Sequence, residues 1–250
     1  MKIFDAHFHI INPNFPLFPN NGYLPPYFTI EDYQKDTQSF NIVGGAIVSG
    51  SFQQFDQEYL IHSLQQLGKN YVGVANIPIN ITQKELDRLQ KSNIVAVRFN
   101  LKRGGSETIN NMVVLSNKLY HEYNWHTELY VDSAHLKELK SKLLQLPSFS
   151  LDHLGLTKKG LTDIYFWAKK GVKIKATGFG RIDFDPIPVM RKIHCINPKA
   201  LLFGTDLPST RAKTPFSIKD IQLIKDNFTT TEQENIFYNN AVEWYQKIIR

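Results

Sequence analysis

A single cysteine, Cys195, is all the thiol in this chain. That excludes an internal disulfide framework and fits a reducing compartment such as the cytoplasm. The stretch Arg191-Lys192-Ile193-His194-Cys195 reads as the end of a helix on which His194 points elsewhere, so Cys195 is not expected to be a nucleophile. No run of 18 or more apolar residues is present, so no membrane span is expected. The N-terminus lacks a basic segment followed by an apolar one and enters its first strand near Ile3, so no signal peptide is expected either. The net charge of +6 is spread thinly, in doublets at most (Lys102-Arg103, Lys158-Lys159, Lys169-Lys170). Without a basic stripe and interleaved aromatics, a nucleic-acid partner is not expected; an anionic small molecule is. Nothing in the sequence fixes oligomeric state, and a homo-oligomer is compatible with it.

The chain does have the balance of a folded domain, 42% hydrophobic and 21% charged over 250 residues, enough for one substantial core. Apolar periodicity predicts strands at 3–9, 42–48, 71–77, 94–100, 125–131, 148–153, 172–177 and 200–205. Helical patterns fall at 54–68, 82–91, 107–123, 133–146, 161–170, 186–195 and 217–227, with a closing helix at 231–248. Thr82 with Glu85, Ser133 before Ala134, and Thr231 before Glu232 and Glu234 read as helix starts. Gly68, Gly104, Gly160 and Gly171 stand where helices or loops should end. Eight strands, most followed by a helix, predict an α/β fold: one (β/α)8 TIM barrel domain spanning 1–250. A doubly wound sheet is the rival, but it prefers a glycine-rich turn after its first strand, and here no glycine occurs before Gly22. Residues 10–30 form a long connection rich in proline, asparagine and aromatics, expected to be a substrate lid at the barrel mouth.

Strand alternation puts Asp5, His7 and His9 on one face of the first strand and Phe4, Ala6 and Phe8 on the other. Two histidines so spaced can grip a metal ion, act as polar catalytic groups, or decorate an edge strand. Chemistry in such barrels comes from the C-terminal ends of strands. Those positions hold His7 and His9, then Arg98 and Asn100, Tyr130, the run Asp152-His153-Leu154-Gly155, Arg181 and Asp206. His126 stands at the start of its strand, about 13 Å below Tyr130, with Glu128 between them on the same face.

These pieces resemble the amidohydrolase superfamily, and within it the amidohydrolase-2 group of pyrone-dicarboxylate hydrolases and sugar lactonases. Asp5-Ala6-His7-Phe8-His9, Gly44-Gly45-Ala46-Ile47-Val48, Gly73-Val74-Ala75, Val97-Arg98-Phe99-Asn100, Trp125-His126-Thr127-Glu128-Leu129-Tyr130, Asp152-His153-Leu154-Gly155, Gly204-Thr205-Asp206-Leu207-Pro208 and Asn235-Ile236-Phe237-Tyr238-Asn239-Asn240-Ala241 carry the resemblance. It implies a shared site of His7, His9, His153 and Asp206, which in metal-using relatives binds a divalent ion such as zinc. Tyr130 stands at the mouth position where those relatives place a further histidine ligand, as in lactonases, some of which need no metal. The resemblance therefore implies one divalent metal or none. It further implies Asp206 as general base toward a lactone carbonyl, with Tyr130 and the histidines as oxyanion donors. Arg98 and Arg181 suit a substrate carboxylate, with Asn100 in support. Leu207-Pro208-Ser209 departs from the Trp-Pro-His often found after the last-strand aspartate, and Leu156-Thr157-Lys158-Lys159 lacks the usual proline-bearing form. Both point to a different substrate on the same machinery. A metal-dependent decarboxylase or hydratase, and a catalytically silent binding or sensing barrel, are the alternatives.

Overall fold

Parallel strands buried on both faces need near-continuous apolar runs, and the expected segments supply them. A computed structural model describes residues 1–246. Its strands are β1 (Ile3–Phe8), β2 (Ile42–Val48), β3 (Tyr71–Ala75), β4 (Ile94–Asn100), β5 (His126–Tyr130), β6 (Phe149–Leu151), β7 (Lys173–Ala176) and β8 (Leu201–Phe203). They pair in sequence order, all parallel, giving the (β/α)8 TIM barrel. Outside it lie α1 (Ile30–Thr37), α2 (Glu58–Leu67), α3 (Gln83–Lys91), α4 (Ile109–Tyr123), α5 (Leu136–Leu143), α6 (Leu161–Lys169), α7 (Pro186–Ile196), α8 (Ile218–Asn227) and α9 (Thr230–Glu234). A π turn, Asn235–Asn239, joins α9 to α10 (Asn240–Gln246). The end of the expected closing helix, 247–248, lies outside the described residues. No helix among those residues is long and apolar enough to cross a membrane.

Helix starts show where cap chemistry was legible. Thr82 accepts from the Glu85 amide as expected. Ahead of α5 a 3-10 turn, Ser133–His135, is capped by Asp132, which accepts from the Ala134 amide, while the Ser133 hydroxyl donates to the Thr157 carbonyl and α5 itself starts after His135 without a side-chain cap. The closing helix starts earlier, on a Thr229–Glu232 capping box and not at Thr231. Helix α1 was hidden behind the aromatic-rich connection. Its buried residues Ile30, Tyr33 and Thr37 form a short stripe, and Thr29 with Asp32 closes a capping box.

Outward side chains such as Phe8, Ile47, Val97, Phe99, Leu129, Ile174 and Phe203 pack under the helices. Inside, Phe4, Ala6, Ala46, Val48, Val72, Val74, Ala96 and Leu202 form a separate cluster with Ala241 and Tyr245 of α10. Tyr245 stacks on Phe4 at 5.3 Å, so α10 plugs the lower end of the barrel and leaves the upper end for polar groups.

Strand β1 is not a regular strand. Its register against β2 slips between Asp5 and Phe8, a bulge that re-aims every later side chain. Asp5 accepts a hydrogen bond from the Tyr33 hydroxyl and Phe8 stacks on the Tyr33 ring, so both face α1. His7 turns inward instead. The expected common face of Asp5, His7 and His9 is therefore broken: the bulge sends Asp5 outward and keeps the histidine pair inside. The seam between β8 and β1 is held just beyond the strand, where the Asp206 amide donates to the His7 carbonyl at 2.7 Å and the His9 amide to Leu207 at 2.8 Å. Only a glycine lets the chains approach this closely, because a Cβ on Gly204 would lie 2.7 Å from the His7 nitrogen.

Candidate active site

The strand ends converge on a small open cavity at the mouth, lined by His9, Tyr130, His153, Arg98, Arg181 and Asn100 among others. His7 and Asp206, both fully buried, lie behind this lining in contact with His9. His7 Nε2 lies 3.9 Å and His9 Nε2 4.0 Å from Asp206 Oδ1, and neither His7 Nε2 nor Asp206 Oδ1 has a partner. His9 Nδ1 sits 2.6 Å from the Val48 carbonyl, an oxygen that can only accept. The His9 proton is thereby fixed on Nδ1, and its Nε2 presents a lone pair to Asp206.

His153 does not join all three. Its ring meets His7 edge-on at 4.9 Å and Tyr130 at 5.2 Å, and it groups with His7 and Asp152, whereas His7, His9 and Asp206 form the other cluster of mutually close donors among the described residues. Gly178 is the wedge between them. A Cβ there would lie 2.6 Å from His153 Nδ1 and 3.0 Å from Asp206 Oδ2, and its φ of +61° is in the left-handed region. Left-handed backbone recurs at non-glycine residues around the mouth, with φ of +52° at His153, +50° at Leu154 and +62° at Asp206. Such strain persists where surrounding structure imposes it, and it concentrates at functional sites.

The two arginines are held by carboxylates. Arg181 Nε donates to Asp206 Oδ2 at 2.5 Å. Arg98 donates to Asp152 Oδ2 at 3.1 Å and to the Ser49 carbonyl at 2.6 Å, its Nε has no partner, and its Cζ lies 5.5 Å from the centre of the Tyr130 ring. Asn100 sits on the rim, where its side-chain oxygen accepts from the Arg103 amide.

Below the histidines lies a charged layer that the sequence reading did not identify. Lys175 of β7 is wholly buried. Its ammonium pairs with Glu128 Oε2, lies 3.4 Å from His7 Nδ1, and is 3.8 Å from Asp152 Oδ1. Glu128 Oε1 also accepts from the Tyr245 hydroxyl at 2.6 Å and faces His126 Nε2 at 3.2 Å. His126 is thus Glu128's neighbour at the foot of the barrel, as its position in the strand implied, and packs against Trp244 and Tyr245. The signal for Lys175 was there: a lysine between Ile174 and Ala176, in the middle of a strand whose alternate residues face inward.

Electrostatics follow from burial among cations. Burial, then Lys175 and His9, push the His7 imidazolium pKa far down, and burial with Arg98 brings His9 to about 3. Burial and Arg181 do the same to His153. All three rings are neutral at pH 7. Burial raises Asp206 above the ordinary carboxylate range, with Arg181 opposing the rise. Burial also acts upward on Asp152, but Lys175 and Arg98 outweigh it and hold that carboxyl low.

The connection 10–30 lies across this mouth. An antiparallel bridge between Ile11 and Phe28 closes its base. At its tip Asn20 receives the Arg211 guanidinium, the Tyr23 ring lies 4.4 Å from that guanidinium, and both Tyr23 and Arg211 line the cavity.

A family model described as Amidohydrolase matches residues 4–247. A 2-pyrone-4,6-dicarboxylate hydrolase of Comamonas testosteroni is 23% identical over 236 residues, covering 84% of this chain and 77% of that protein. A D-galactarolactone isomerase of Agrobacterium fabrum is 24% identical over 160 residues, covering 63% of this chain and 54% of the isomerase. The crystal structure of a probable 2-pyrone-4,6-dicarboxylic acid hydrolase from Acinetobacter baumannii, with citric acid bound, superposes with a TM-score of 0.83 at 24% identity, covering 98% of this chain and all of that one.

Proposed function

This chain belongs to the amidohydrolase family, and from that premise we propose that it is a hydrolase opening the lactone ring of a small carboxylate- or sugar-acid-type molecule. The observation that carries the reading is the triangle of His7 Nε2, His9 Nε2 and Asp206 Oδ1, whose atoms lie within 4.8 Å of one another. A water about 2.8 Å from each corner fits it. Such a water donates to Asp206 Oδ1 and to the His9 lone pair, accepts from His7 Nε2–H, and keeps one lone pair free to attack.

In this reading Asp206 takes the water's proton as the oxygen bonds to the lactone carbonyl carbon. Tyr130 and His153 donate to the developing oxyanion. Collapse breaks the ring C–O bond, and protonated Asp206 returns its proton to the leaving alkoxide, so the product is a hydroxy acid. Arg98, Arg103, Arg181 and Arg211 all line the cavity, which supports an anionic substrate. The connection 10–30 is the lid of this site.

A zinc ion, as implied for metal-using relatives, would need lone pairs from both first-strand histidines. His9 offers one, but the Lys175 ammonium faces His7 Nδ1. A proton on Nδ1 would aim two donors at each other, so the ring proton belongs on Nε2 and no lone pair faces Asp206. Asp206's second oxygen is already taken by Arg181. The donor set does not fit a divalent ion.

The test is a screen of aldono- and muconolactones followed by proton release, with wild type beside Asp206→Asn. The expected result is ring opening by the wild type and a loss of about 10²- to 10⁴-fold in turnover for the variant, with ligand binding retained. If no lactone is opened, with or without added zinc, the reading falls.

A further inference from the structure

We infer that Lys175 is the positioning residue that makes His7 a hydrogen-bond donor in the site and denies the mouth a metal. The inference rests on the water-activating reading of the His7–His9–Asp206 triangle and deepens it. Three features of the layer below the mouth carry it. Lys175 cannot turn away: it is wholly buried, its ammonium is anchored on Glu128, and Glu128 is itself fixed by Tyr245 and His126. Asp152 Oδ1, the acceptor that a metal-binding His7 would use for an Nδ1–H, lies 3.5 Å from Nδ1 but makes no hydrogen bond with it. It is 3.8 Å from Lys175, and Asp152 Oδ2 serves Arg98. His7 Nε2, on the far side of the ring, is buried without a partner and aimed at Asp206 Oδ1. With the lone pair of Nδ1 committed to Lys175, the one ring proton lies on Nε2, where it holds the water.

Take away the ammonium and the balance reverses. Asp152 Oδ1 becomes the nearest partner of His7 Nδ1, the proton moves to that side, and Nε2 presents a lone pair beside those of His9 and Asp206. A carboxylate behind a histidine is the arrangement that orients and strengthens a metal-binding imidazole. A single β7 side chain thus separates a water site from a metal site on the same barrel.

The test needs no substrate. In ¹⁵N-labelled wild type, long-range proton–nitrogen spectra of the His7 ring, identified by its loss in His7→Gln, should show Nδ1 unprotonated and Nε2 protonated. In the paired variant Lys175→Met with Glu128→Gln, which removes both buried charges together, the ring should switch to the Nδ1–H form. That variant's affinity for zinc alone, by calorimetry, should rise on the order of tenfold over wild type. A protonated Nδ1 in the wild type overturns the proposal even if the variant fails to fold. So does a folded variant that keeps the wild-type tautomer or gains no zinc affinity. Failure of either measurement leaves the lactone reading to its own assay, and an absence of lactone opening leaves the tautomer result standing.

Discussion

Arg181 and Asp206 face each other across the mouth, with Nε 2.5 Å from Oδ2, while the other Asp206 oxygen stays free toward the histidines. One carboxylate thereby divides its work. Oδ2 is neutralised by a guanidinium, and Oδ1 remains available to a water. Burial pushes the Asp206 pKa up and Arg181 pulls against it. Since the base must be ionised to act, activity is lost as pH falls through that pKa. Arg181→Met removes the downward pull, so the acid limb of kcat/KM should move to higher pH. A profile measured on an active lactone checks this, and an unmoved acid limb would refute Asp206 as the base.

Gly178 gives a second test, of packing and not of charge. Any side chain at its φ of +61° is strained by about 1–2 kcal/mol, and a Cβ would press on His153 Nδ1 and Asp206 Oδ2. Gly178→Ala should fold with a lowered midpoint in urea and lose far more activity than that stability change explains. Wild-type turnover in a destabilised variant would show that the spacing of His153 and Asp206 does not matter to the chemistry.

The barrel was legible because strand patterns such as Ile42–Val48 and Ile94–Asn100 carry their own boundaries in apolar residues. The candidate site was legible where polar residues end a strand, as at His9, Asn100, Tyr130 and Asp206. Two kinds of feature were not. A bulge leaves no mark on the alternation Asp5-Ala6-His7-Phe8, because the extra residue is set by what β2 and α1 offer opposite it. The buried layer of Lys175, Glu128 and Tyr245 joins β5, β7 and the last helix, a meeting that depends on barrel closure and on no local pattern. Arg211 was missed for a similar reason, since its partner Asn20 is far away in the chain.

That Arg211–Asn20 contact is where the lid can be tested. The guanidinium binds the Asn20 main-chain and side-chain oxygens and stacks on Tyr23, and hydrogen bonds to a charged group contribute about 1.5–3 kcal/mol each. Arg211→Ala should speed proteolysis within residues 13–24 and raise KM for an anionic lactone, with a thermal midpoint lowered by several degrees. If cleavage of that segment is no faster than in the wild type, Arg211 is not the latch.

Asp5 supplies a prediction about stability and pH. It accepts from the Thr205 amide at 2.8 Å, the Thr205 hydroxyl at 2.7 Å, the Tyr33 hydroxyl at 3.0 Å and the His7 amide at 3.2 Å, tying β1 to the loop after β8 and to α1. Those bonds lower its pKa, but burial outweighs them and raises it from 3.8 to about 6. A carboxyl whose pKa rises on folding holds more protons in the native state than in the unfolded one. Its contribution is full below the unfolded pKa and is lost as pH rises through the folded one. A rise of about two units corresponds to about 3 kcal/mol. Asp5→Asn cannot ionise, and the Thr205 and Tyr33 hydroxyls can rotate to accept from its amide. The stability of the wild type relative to Asp5→Asn should therefore fall by up to about 3 kcal/mol between pH 4 and pH 7. Urea unfolding of both proteins across that range measures the difference directly. A constant difference would mean that Asp5 is ionised throughout, with its four donors outweighing the cost of burying the charge.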